Sequence, residues 1–451
     1  MTSYQRLVLT ISILASFLSF LDGSVVNVAL PAIVHELGGG LAVQQWVSSA
    51  YLITLGSLIL LAGSLSDIFG RKHILTWGVI GFGITSILCA IAPTDISLII
   101  ARALQGVFGA LLVPSSLALI ISTFSGGAQS KAIGTWTAWT GISFLIGPLV
   151  GGALVDLLSW RWIFLINVVP ILVTLWLMRR LHADRPSEKT SIDIGGALMA
   201  TLGIAGIVYA LIEQPSQGWN SLSVWPLLSL GMLLILMFIW HERRVKQPML
   251  PLSLFAIRNF TVGNIATTAI YAGLAVATFL ITIFIQEVGG YSALFAGISL
   301  LPITVIMFFL SSKFGALAGK YGPRLFMSVG PLVAASGFAL FLMVDNRVDY
   351  LTQILPGVLL FGLGLSITVA PLTAAILGCI DPKHAGIASA INNAVSRIAG
   401  LIAIAVIALV TGNSLDVEGF HRGIWLMIIL LTLGGLVSAI GITNKFTVQK
   451  I

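Results

Sequence analysis

The stretch Leu21–Pro31 (LDGSVVNVALP) lies in a long apolar run near the start of the chain, and Asp22 is the only acidic residue of that run. If the run crosses a membrane, Asp22 lies inside the bilayer, where ionising a carboxylate costs about 3 kcal/mol on insertion scales. Desolvation favours its protonated form and a nearby cation favours the charged form. Asp22 is therefore a candidate proton carrier. The alternative is that it only hydrogen-bonds neighbouring helices.

The composition excludes a soluble globular protein. The chain has 451 residues, of which 57% are hydrophobic and only 9% charged, whereas soluble domains carry about 25% charged residues. An integral membrane protein is the class that fits. The net charge of +7 comes from short loops, as the positive-inside rule predicts, and gives no reason to expect a nucleic acid partner.

Hydrophobic runs of about 20 residues mark candidate membrane-spanning helices. An even number of them places both termini on one side of the membrane. The sequence predicts an all-α protein with fourteen such helices, near residues 7–31, 43–65, 73–92, 97–121, 132–155, 162–180, 193–213, 222–241, 260–286, 292–313, 325–345, 351–377, 386–410 and 424–442.

The distribution of basic residues predicts the orientation. With the N-terminus in the cytoplasm, eighteen of the 23 Lys and Arg residues fall on the inner side, as the positive-inside rule requires. We therefore expect a multi-pass protein of the inner (plasma) membrane with both termini cytoplasmic. The inner residues are Arg6, Arg71, Lys72, Lys131, Arg179, Arg180, Arg185, Lys189, Arg243, Arg244, Lys246, Arg258, Lys313, Lys320, Arg324, Lys383, Lys445 and Lys450.

A weak internal repeat divides the chain. Gly63–Lys72 (GSLSDIFGRK) follows the second run and Gly315–Arg324 (GALAGKYGPR) follows the tenth, so that Gly70 aligns with Gly322. A parallel duplication of this kind is typical of transporters with a central site between two halves. It predicts six-helix bundles at 1–181 and 259–451, with 182–258 as a linker that carries the seventh and eighth helices.

Several motifs together resemble the major facilitator superfamily. GSLSDIFGRK resembles its loop signature, and LDGSVVNVALP resembles the first-helix motif of its fourteen-helix drug:proton antiporters. Other stretches are similar to its membrane-arginine motif, its antiporter motif and two further segments of these antiporters: Ala101–Ala110 (ARALQGVFGA), Gly141–Gly152 (GISFLIGPLVGG), Trp160–Pro170 (WRWIFLINVVP) and Ala385–Gly400 (AGIASAINNAVSRIAG).

The resemblance implies the major facilitator fold, with two six-helix bundles plus two inserted helices. It also implies a proton-coupled antiporter that exports amphipathic small molecules or drugs by alternating access, and thereby confers multidrug or antibiotic resistance. Its partners would be protons, a small-molecule substrate and the lipid bilayer, and we expect a monomer. No cofactor is implied, because the proton gradient drives transport and no GxxxxGK[ST] stretch indicates direct use of ATP.

Arg102 is the expected partner of Asp22. Arg102, Gln105, Gly106 and Gly109 share one face of the fourth helix, since they are spaced i, i+3, i+4 and i+7. An intramembrane arginine needs an acidic or carbonyl partner, and charge balance with the family resemblance favours Asp22. We expect Arg102 to modulate the affinity of Asp22 for a proton. The alternative is a static ion pair that only orients the helices.

Glycine-rich motifs predict the moving parts. Gly63 and Gly70 permit tight turns and close helix approach, while Asp67 and Arg71 can pair with each other or cap a facing helix. The resemblance implies a cytoplasmic latch between the halves, and a loop that merely sets topology is the alternative. Gly319 replaces Asp67 in the second copy, which makes any such latch asymmetric.

The fifth helix carries the second glycine motif. Gly147-Pro148 predicts a kink, because proline removes a backbone hydrogen bond. Gly141, Gly151 and Gly152 allow close packing. The resemblance implies a hinge and a seal against proton leak, and a purely structural kink is the alternative.

Polar and aromatic side chains within the apolar runs are candidates for a substrate cavity. Packing or interfacial positions explain most of them as well. Arg397 has three open interpretations: a contact with Asp22 across a cavity, binding of an anionic substrate group, or pairing with backbone carbonyls. The candidates are Asn27, Gln105, Trp139, Tyr271, Asn392, Asn393 and Arg397.

Two other functions compete with drug export. A transporter of one specific metabolite, possibly an anion, would use Arg397 as its anchor. A membrane-embedded enzyme or receptor would need a catalytic cluster or a large extramembrane domain, and the sequence contains neither. We therefore expect a transporter and not an enzyme.

Overall fold

The computed structural model describes residues 1–182, 193–245, 248–380, 385–412 and 415–444. The regular elements in these ranges are helices. They are α1 (Ser3–Leu37), α2 (Gly40–Phe69), α3 (Arg71–Ala90), α4 (Asp95–Thr123), α5 (Gly126–Leu157), α6 (Trp162–Leu165), α7 (Val168–Met178), α8 (Ile194–Gln217), α9 (Trp225–Glu242), α10 (Arg258–Glu287), α11 (Ala293–Ser299), α12 (Leu301–Tyr321), α13 (Pro323–Leu340), α14 (Leu355–Leu377), α15 (Ala385–Thr411) and α16 (Val417–Gly441), with short 3₁₀ or π turns at Leu252–Ala256, Phe341–Met343 and Tyr350–Ile354.

The helices confirm the predicted all-α membrane fold. Within the described ranges, 13 helices are long and apolar enough to cross a bilayer, and the segment Trp162–Met178 is a shorter apolar one. That segment is the predicted sixth helix, and a turn between Leu165 and Val168 splits it into α6 and α7. Pro170 explains the break, because it has no N–H to donate to the carbonyl of Ile166 and its ring crowds that carbonyl.

The described chain forms two compact units. The first comprises Met1–Ile207, Trp225–Met249 and Ser292–Gly297, and the second comprises Val208–Val224, Leu250–Tyr291 and Ile298–Ile451. Helix α8 is thus shared between the two units, whereas the sequence predicted one linker over 182–258. The segment Ser292–Gly297, which was predicted to belong to the second bundle, lies in the first unit. The bounds 1–181, 182–258 and 259–451 stay a prediction.

Glycines set the helix spacing in the first unit. Helix α4 packs against α1, α2 and α3. At Gly106 a side chain would collide with the backbone carbonyl of Tyr51 on α2, and at Gly109 it would lie 3.2 Å from the Tyr51 hydroxyl. Small residues let membrane helices approach closely. These contacts place the Arg102 face of α4 against α2.

The inserted helices α8 and α9 are joined at one end by a side-chain pair. Asp193 accepts a hydrogen bond of 2.8 Å from the Gly196 amide in the first turn of α8. The same carboxyl oxygen lies 2.8 Å from Nε2 of His241, in the last turn of α9.

The repeated GSLSDIFGRK and GALAGKYGPR segments are mostly helical, and the loop predicted there is shorter than expected. Helix α2 ends only at Gly70, with φ 92°, and α12 ends at Gly322, with φ 88°. No residue before these glycines breaks the helix, which is the physical reason for the difference. The side chain of Asp67 lies outside the described residues, as do Arg185, Lys189, Lys246, Lys383, Lys445 and Lys450 of the predicted inner set.

The aligned basic residues Lys72 and Arg324 make equivalent contacts. Lys72 Nζ donates to the carbonyl of Leu181, after α7, at 2.5 Å. Arg324 Nε donates to the carbonyl of Ala439, in the last turn of α16, at 2.6 Å. Cations stabilise the C-terminal ends of helices. In each copy of the repeat, a glycine forms the turn and the basic residue two positions later caps the last helix of its half.

Gly70→Ala should destabilise the protein by about 1–3 kcal/mol, because its backbone is in a region that strains other residues. The matched control is Gly63→Ala, since a side chain at Gly63 meets nothing within 4 Å and alanine favours a helix interior by about 1 kcal/mol. Thermal unfolding of the purified protein measures both. Equal melting temperatures for the two variants would contradict the assigned turn.

Candidate functional site

The candidate site is a buried ion pair between α1 and α4. Asp22 is 0% and Arg102 1% exposed. Arg102 Nη1 donates to Asp22 Oδ2. The structure thus pairs Arg102 with Asp22, the partner that the sequence predicted. Removing either member would leave a buried charge uncompensated, which destabilises a protein strongly.

Gln105 binds both members of the pair. Its Oε1 accepts a bond of 2.7 Å from Arg102 Nη1, and its Nε2 donates to Asp22 Oδ1 at 2.9 Å. Nε2 also donates to Ser86 Oγ on α3 at 2.9 Å, and the Cys89 thiol donates to Oε1 at 3.5 Å. Gln105 is 0% exposed. The polar atoms of Gln105 are thus committed to the ion pair and its neighbours, and a role in lining a substrate cavity stays a prediction.

Helix α2 holds the guanidinium of Arg102 from the other side. Arg102 Nε donates to the carbonyl of Val47 at 3.1 Å. The ring of Tyr51 lies 4.3 Å from the guanidinium carbon, within the range of a cation–π contact. The hydroxyl of Tyr51 donates to the carbonyl of Ser19 on α1 at 3.1 Å. Three helices thus fix the position of one cation.

Asn167 is a member of this cluster that the sequence analysis missed. It lies in the turn between α6 and α7, is 0% exposed, and its Nδ2 is 3.4 Å from Asp22 Oδ1 and 3.5 Å from Ser86 Oγ. An available signal was an amide in an apolar run, three residues before the helix-breaking Pro170. We call Asp22, Arg102, Gln105, Ser86 and Asn167 the carboxylate cluster.

The glycine motif of α5 packs against the segment that follows Asp22. At Gly147 a side chain would collide with Ser24, and at Gly151 with Val25. The hydroxyl of Ser24 also donates to the carbonyl of Ser143 at 3.2 Å. The first-helix motif and the fifth-helix motif therefore form one interface within the first unit.

The end of the same motif contacts Ser292–Gly297, which belongs to the first unit. A Cβ at Gly152 would lie 2.5 Å from the carbonyl oxygen of Ala293, and one at Gly297 would collide with the carbonyl of Pro148. One turn beyond Gly152, the carboxylate of Asp156 accepts bonds of 3.1 and 2.8 Å from the amides of Ala293 and Leu294. The close packing predicted at Gly151 and Gly152 is confirmed. At Gly141 it is wrong, since a side chain there meets nothing within 4 Å.

In the second unit, polar side chains join α10 and α15. Asn392 Nδ2 donates to Asn264 Oδ1 at 3.2 Å and to Thr267 Oγ1 at 2.9 Å. Tyr271 lies one turn further along α10, within electrostatic range of Arg397 on α15. We call Asn264, Thr267, Tyr271, Asn392 and Arg397 the α10–α15 polar strip.

A family model described as the Major Facilitator Superfamily matches residues 12–404. The chain belongs to this superfamily. The match covers the carboxylate cluster, the fifth-helix glycine motif and the α10–α15 polar strip.

Several characterised major facilitators are similar to the chain over most of their length. The puromycin resistance protein of Streptomyces alboniger is 36% identical over 89% of this chain and 81% of its own. The multidrug transporter protein MdtP of Bacillus subtilis is 32% identical over 90% and 75%. The tetracenomycin C resistance and export protein of Streptomyces glaucescens is 30% identical over 87% and 73%.

Solved major facilitator structures share the fold. A D-xylose–proton symporter superposes with a TM-score of 0.69 at 15% identity, covering 98% of this chain and 99% of its own. A bacterial homolog of the human lysosomal transporter Spinster, inward-facing and unoccupied, gives a TM-score of 0.72 at 14% identity, covering 98% and 97%.

The other predicted cavity residues have varied surroundings. Asn27 accepts a bond of 3.3 Å from the hydroxyl of Ser48, and both belong to the first unit. Trp139 is 51% exposed, and Asn393 donates to the carbonyl of Ser389 at 3.1 Å within its own helix. A role in substrate binding stays a prediction for these residues of the major facilitator chain, as it does for Tyr271 and Arg397.

Arg102→Met should destabilise the protein by about 3–5 kcal/mol, because Asp22 is left buried without its cation. The double variant Asp22→Asn with Arg102→Met should recover most of that loss. Unfolding of the purified protein in mixed micelles gives the coupling free energy.

The control is the exposed pair Glu418–Arg422, whose charged atoms are 3.6 Å apart and should couple by about 1 kcal/mol or less. Additive effects at Asp22 and Arg102 would contradict an energetically coupled pair.

Proposed function

We propose that this major facilitator exports amphipathic, drug-sized molecules from the cytoplasm in exchange for protons. One observation carries the proposal: Asp22, which is 0% exposed, is paired with Arg102, which is 1% exposed. The part of α1 around Asp22 has no other charged residue. An intramembrane carboxylate of this kind is a functional group by default.

The pair supplies a proton-dependent interaction. With Asp22 ionised, the attraction between the carboxylate and Arg102 holds α1 against α4. A proton on Asp22 removes the negative charge and weakens that attraction. Conformations in which α1 and α4 separate are then favoured. In alternating access, a ligand that binds the inward-facing and outward-facing states with different affinities shifts the populations of these two states. The proton thereby acts as one of the two exchanged ligands.

The relatives suggest the substrate class. Those named above are described as resistance or export proteins for puromycin, for tetracenomycin C and for multiple drugs. We propose the same broad class here, without a cofactor, for a monomer in the inner membrane. The excess of basic residues in the predicted inner loops supports an orientation with both termini in the cytoplasm.

The glycine motifs are proposed to control access. Gly152 lies close to the carbonyl of Ala293, and the Asp156 carboxylate accepts a bond from the amide of Leu294. We assign the seal against proton leak to this contact. The Gly63–Arg71 segment is assigned to the conformational latch at the cytoplasmic end, with Gly70 as its turn.

A second candidate substrate class is a specific organic anion. The α10–α15 polar strip favours it, because Arg397 and four neutral polar side chains lie along one helix pair. Export of anionic, but not cationic, compounds that is lost in Arg397→Ala would support this candidate in place of the first.

Asp22→Asn should abolish proton-driven export, since the asparagine amide carries no titratable proton. The substitution also leaves Arg102 without its anion, so uptake is compared at equal amounts of folded protein in the vesicles. Uptake of ethidium, puromycin and an anionic dye into everted vesicles, with and without a proton gradient, measures this. Glu418→Gln, which changes an acid whose side chain is 81% exposed, should transport normally. Full gradient-driven uptake by Asp22→Asn would refute the coupling role.

Gly152→Val should increase proton leak in the absence of substrate. Even a Cβ at this position would lie 2.5 Å from the carbonyl oxygen of Ala293, so the valine side chain would push α5 away from it. Gly141→Val on the same helix is the matched control, since that position has open space. Collapse of an imposed pH gradient in proteoliposomes, followed with an internal pH dye, reports the leak. The same slow collapse in both variants would show that this contact is not the seal.

A further inference from the structure

Asn167 has one buried polar atom without a hydrogen-bond partner. Its Oδ1 is among the fully buried side-chain atoms that find no donor in the described part of the chain, and the residue is 0% exposed. A buried, unpaired carbonyl destabilises the fold, because it has lost its hydrogen bonds to water without replacement. Such a group therefore needs an explanation in the fold or in the function.

Helix capping does not explain Asn167. It is the N-cap residue of α7, where an asparagine side chain normally accepts a bond from the amide of the second or third helical residue. The third residue of α7 is Pro170, which has no N–H, and no side-chain capping bond is present. The sequence thus places a good capping residue where one of its two usual partners is missing, and the side-chain amide contacts Asp22 instead.

Both polar atoms of Gln105, the other amide of the carboxylate cluster, are already paired. Gln105 Oε1 accepts from Arg102 at 2.7 Å, and its Nε2 donates at 2.9 Å to Asp22 and to Ser86. If the Gln105 amide rotated, its NH₂ group would face the Arg102 guanidinium, and two hydrogen-bond donors would then oppose each other. Gln105 therefore keeps its orientation. Asp22 Oδ2 faces the same guanidinium, so that a proton on Asp22 belongs on Oδ1. That O–H then requires an acceptor.

Asn167 is able to supply this acceptor. Its Nδ2 lies 3.4 Å from Asp22 Oδ1 and 3.5 Å from Ser86 Oγ, both long contacts that are weak. A half-turn of the amide would bring Oδ1 to the place of Nδ2, where it accepts from the protonated carboxyl group. Before the rotation the amide oxygen is unpaired, and after it the amide NH₂ group takes that unpaired place. The number of unpaired groups therefore stays the same.

We propose that Asn167 is a positioning residue for the proton on Asp22: its amide donates to the carboxylate and, after rotation, accepts from the carboxylic acid. The inference rests on the proposed role of Asp22 as proton carrier. In the described part of the chain, the charged or titratable groups near Asp22 are Arg102 on α4, Tyr51 on α2 and Cys89 on α3. Asn167 differs from them in having an amide oxygen that accepts no hydrogen bond in this arrangement.

The test is a pH titration of the purified full-length chain in nanodiscs, followed by infrared difference spectroscopy. The carboxylic acid C=O band that disappears in Asp22→Asn belongs to Asp22. In Asn167→Leu this band should appear at a pH lower by up to about one unit, because the acid loses a full hydrogen bond, worth about 1 kcal/mol, whereas the carboxylate loses only the weak contact of 3.4 Å, and one pH unit corresponds to 1.36 kcal/mol. It should also move to higher frequency, as expected for an acid that donates no hydrogen bond.

Three further variants complete the design. Asn167→Ala repeats the deletion in case leucine does not fit, and Asn167→Gln keeps the amide and should retain a band close to that of the wild type. Thr174→Val is the matched control on α7, since its buried hydroxyl binds only the carbonyl of Pro170, at 2.7 Å, and should leave the titration unchanged.

The outcomes separate the two claims. A band that keeps its pH midpoint and frequency in Asn167→Leu and Asn167→Ala overturns the role of Asn167 alone, even if transport falls. Absence of any band that depends on Asp22 shows that Asp22 takes up no proton, and overturns the proposed coupling together with this inference.

Discussion

A carboxylate and a guanidinium that are both removed from water constrain the whole first unit. Neither charge is tolerated there alone, so α1 and α4 must pack in the one register that brings Asp22 to Arg102. Gly106 and Gly109 allow α2 to come close enough for Val47 and Tyr51 to bind the cation. The surrounding helices can therefore be understood as a support for one ion pair.

The same constraint connects the glycine motif of α5 with proton exchange. Gly147 and Gly151 lie directly against Ser24 and Val25, within one turn of Asp22 on α1. A movement of α1 that separates it from α4 must therefore also disturb its contact with α5. The mechanical link between the proton site and the seal at Gly152 is thus a single helix, α1, and its immediate packing partner.

The sequence predicts the helices and the central pair well, because apolar runs and intramembrane charges have few physical solutions. It fails where the answer depends on which helices become neighbours. Gly63 and Gly141 permit close approach, but in the described part of the chain no atom lies within 4 Å of a side chain placed there. A glycine shows what the backbone allows and not which residue lies beside it. Gln105 shares the face of Arg102, and spacing alone could not distinguish a cavity residue from a member of the ion-pair cluster. Asn167 reaches Asp22 only because Pro170 breaks the sixth segment.

The broken sixth segment also has a consequence for the surrounding lipid. At 1.5 Å per residue, Trp162–Met178 spans about 25 Å, whereas the hydrocarbon core of a bilayer is about 30 Å thick. Trp162 and Trp176 are 47% and 53% exposed near its two ends, and Arg180 stacks on Trp176 at 4.7 Å. Headgroups must dip toward these aromatic anchors, or the arginine must extend outward to meet them. Where the headgroups dip, the lipid beside this segment is thinner than the hydrocarbon core of about 30 Å.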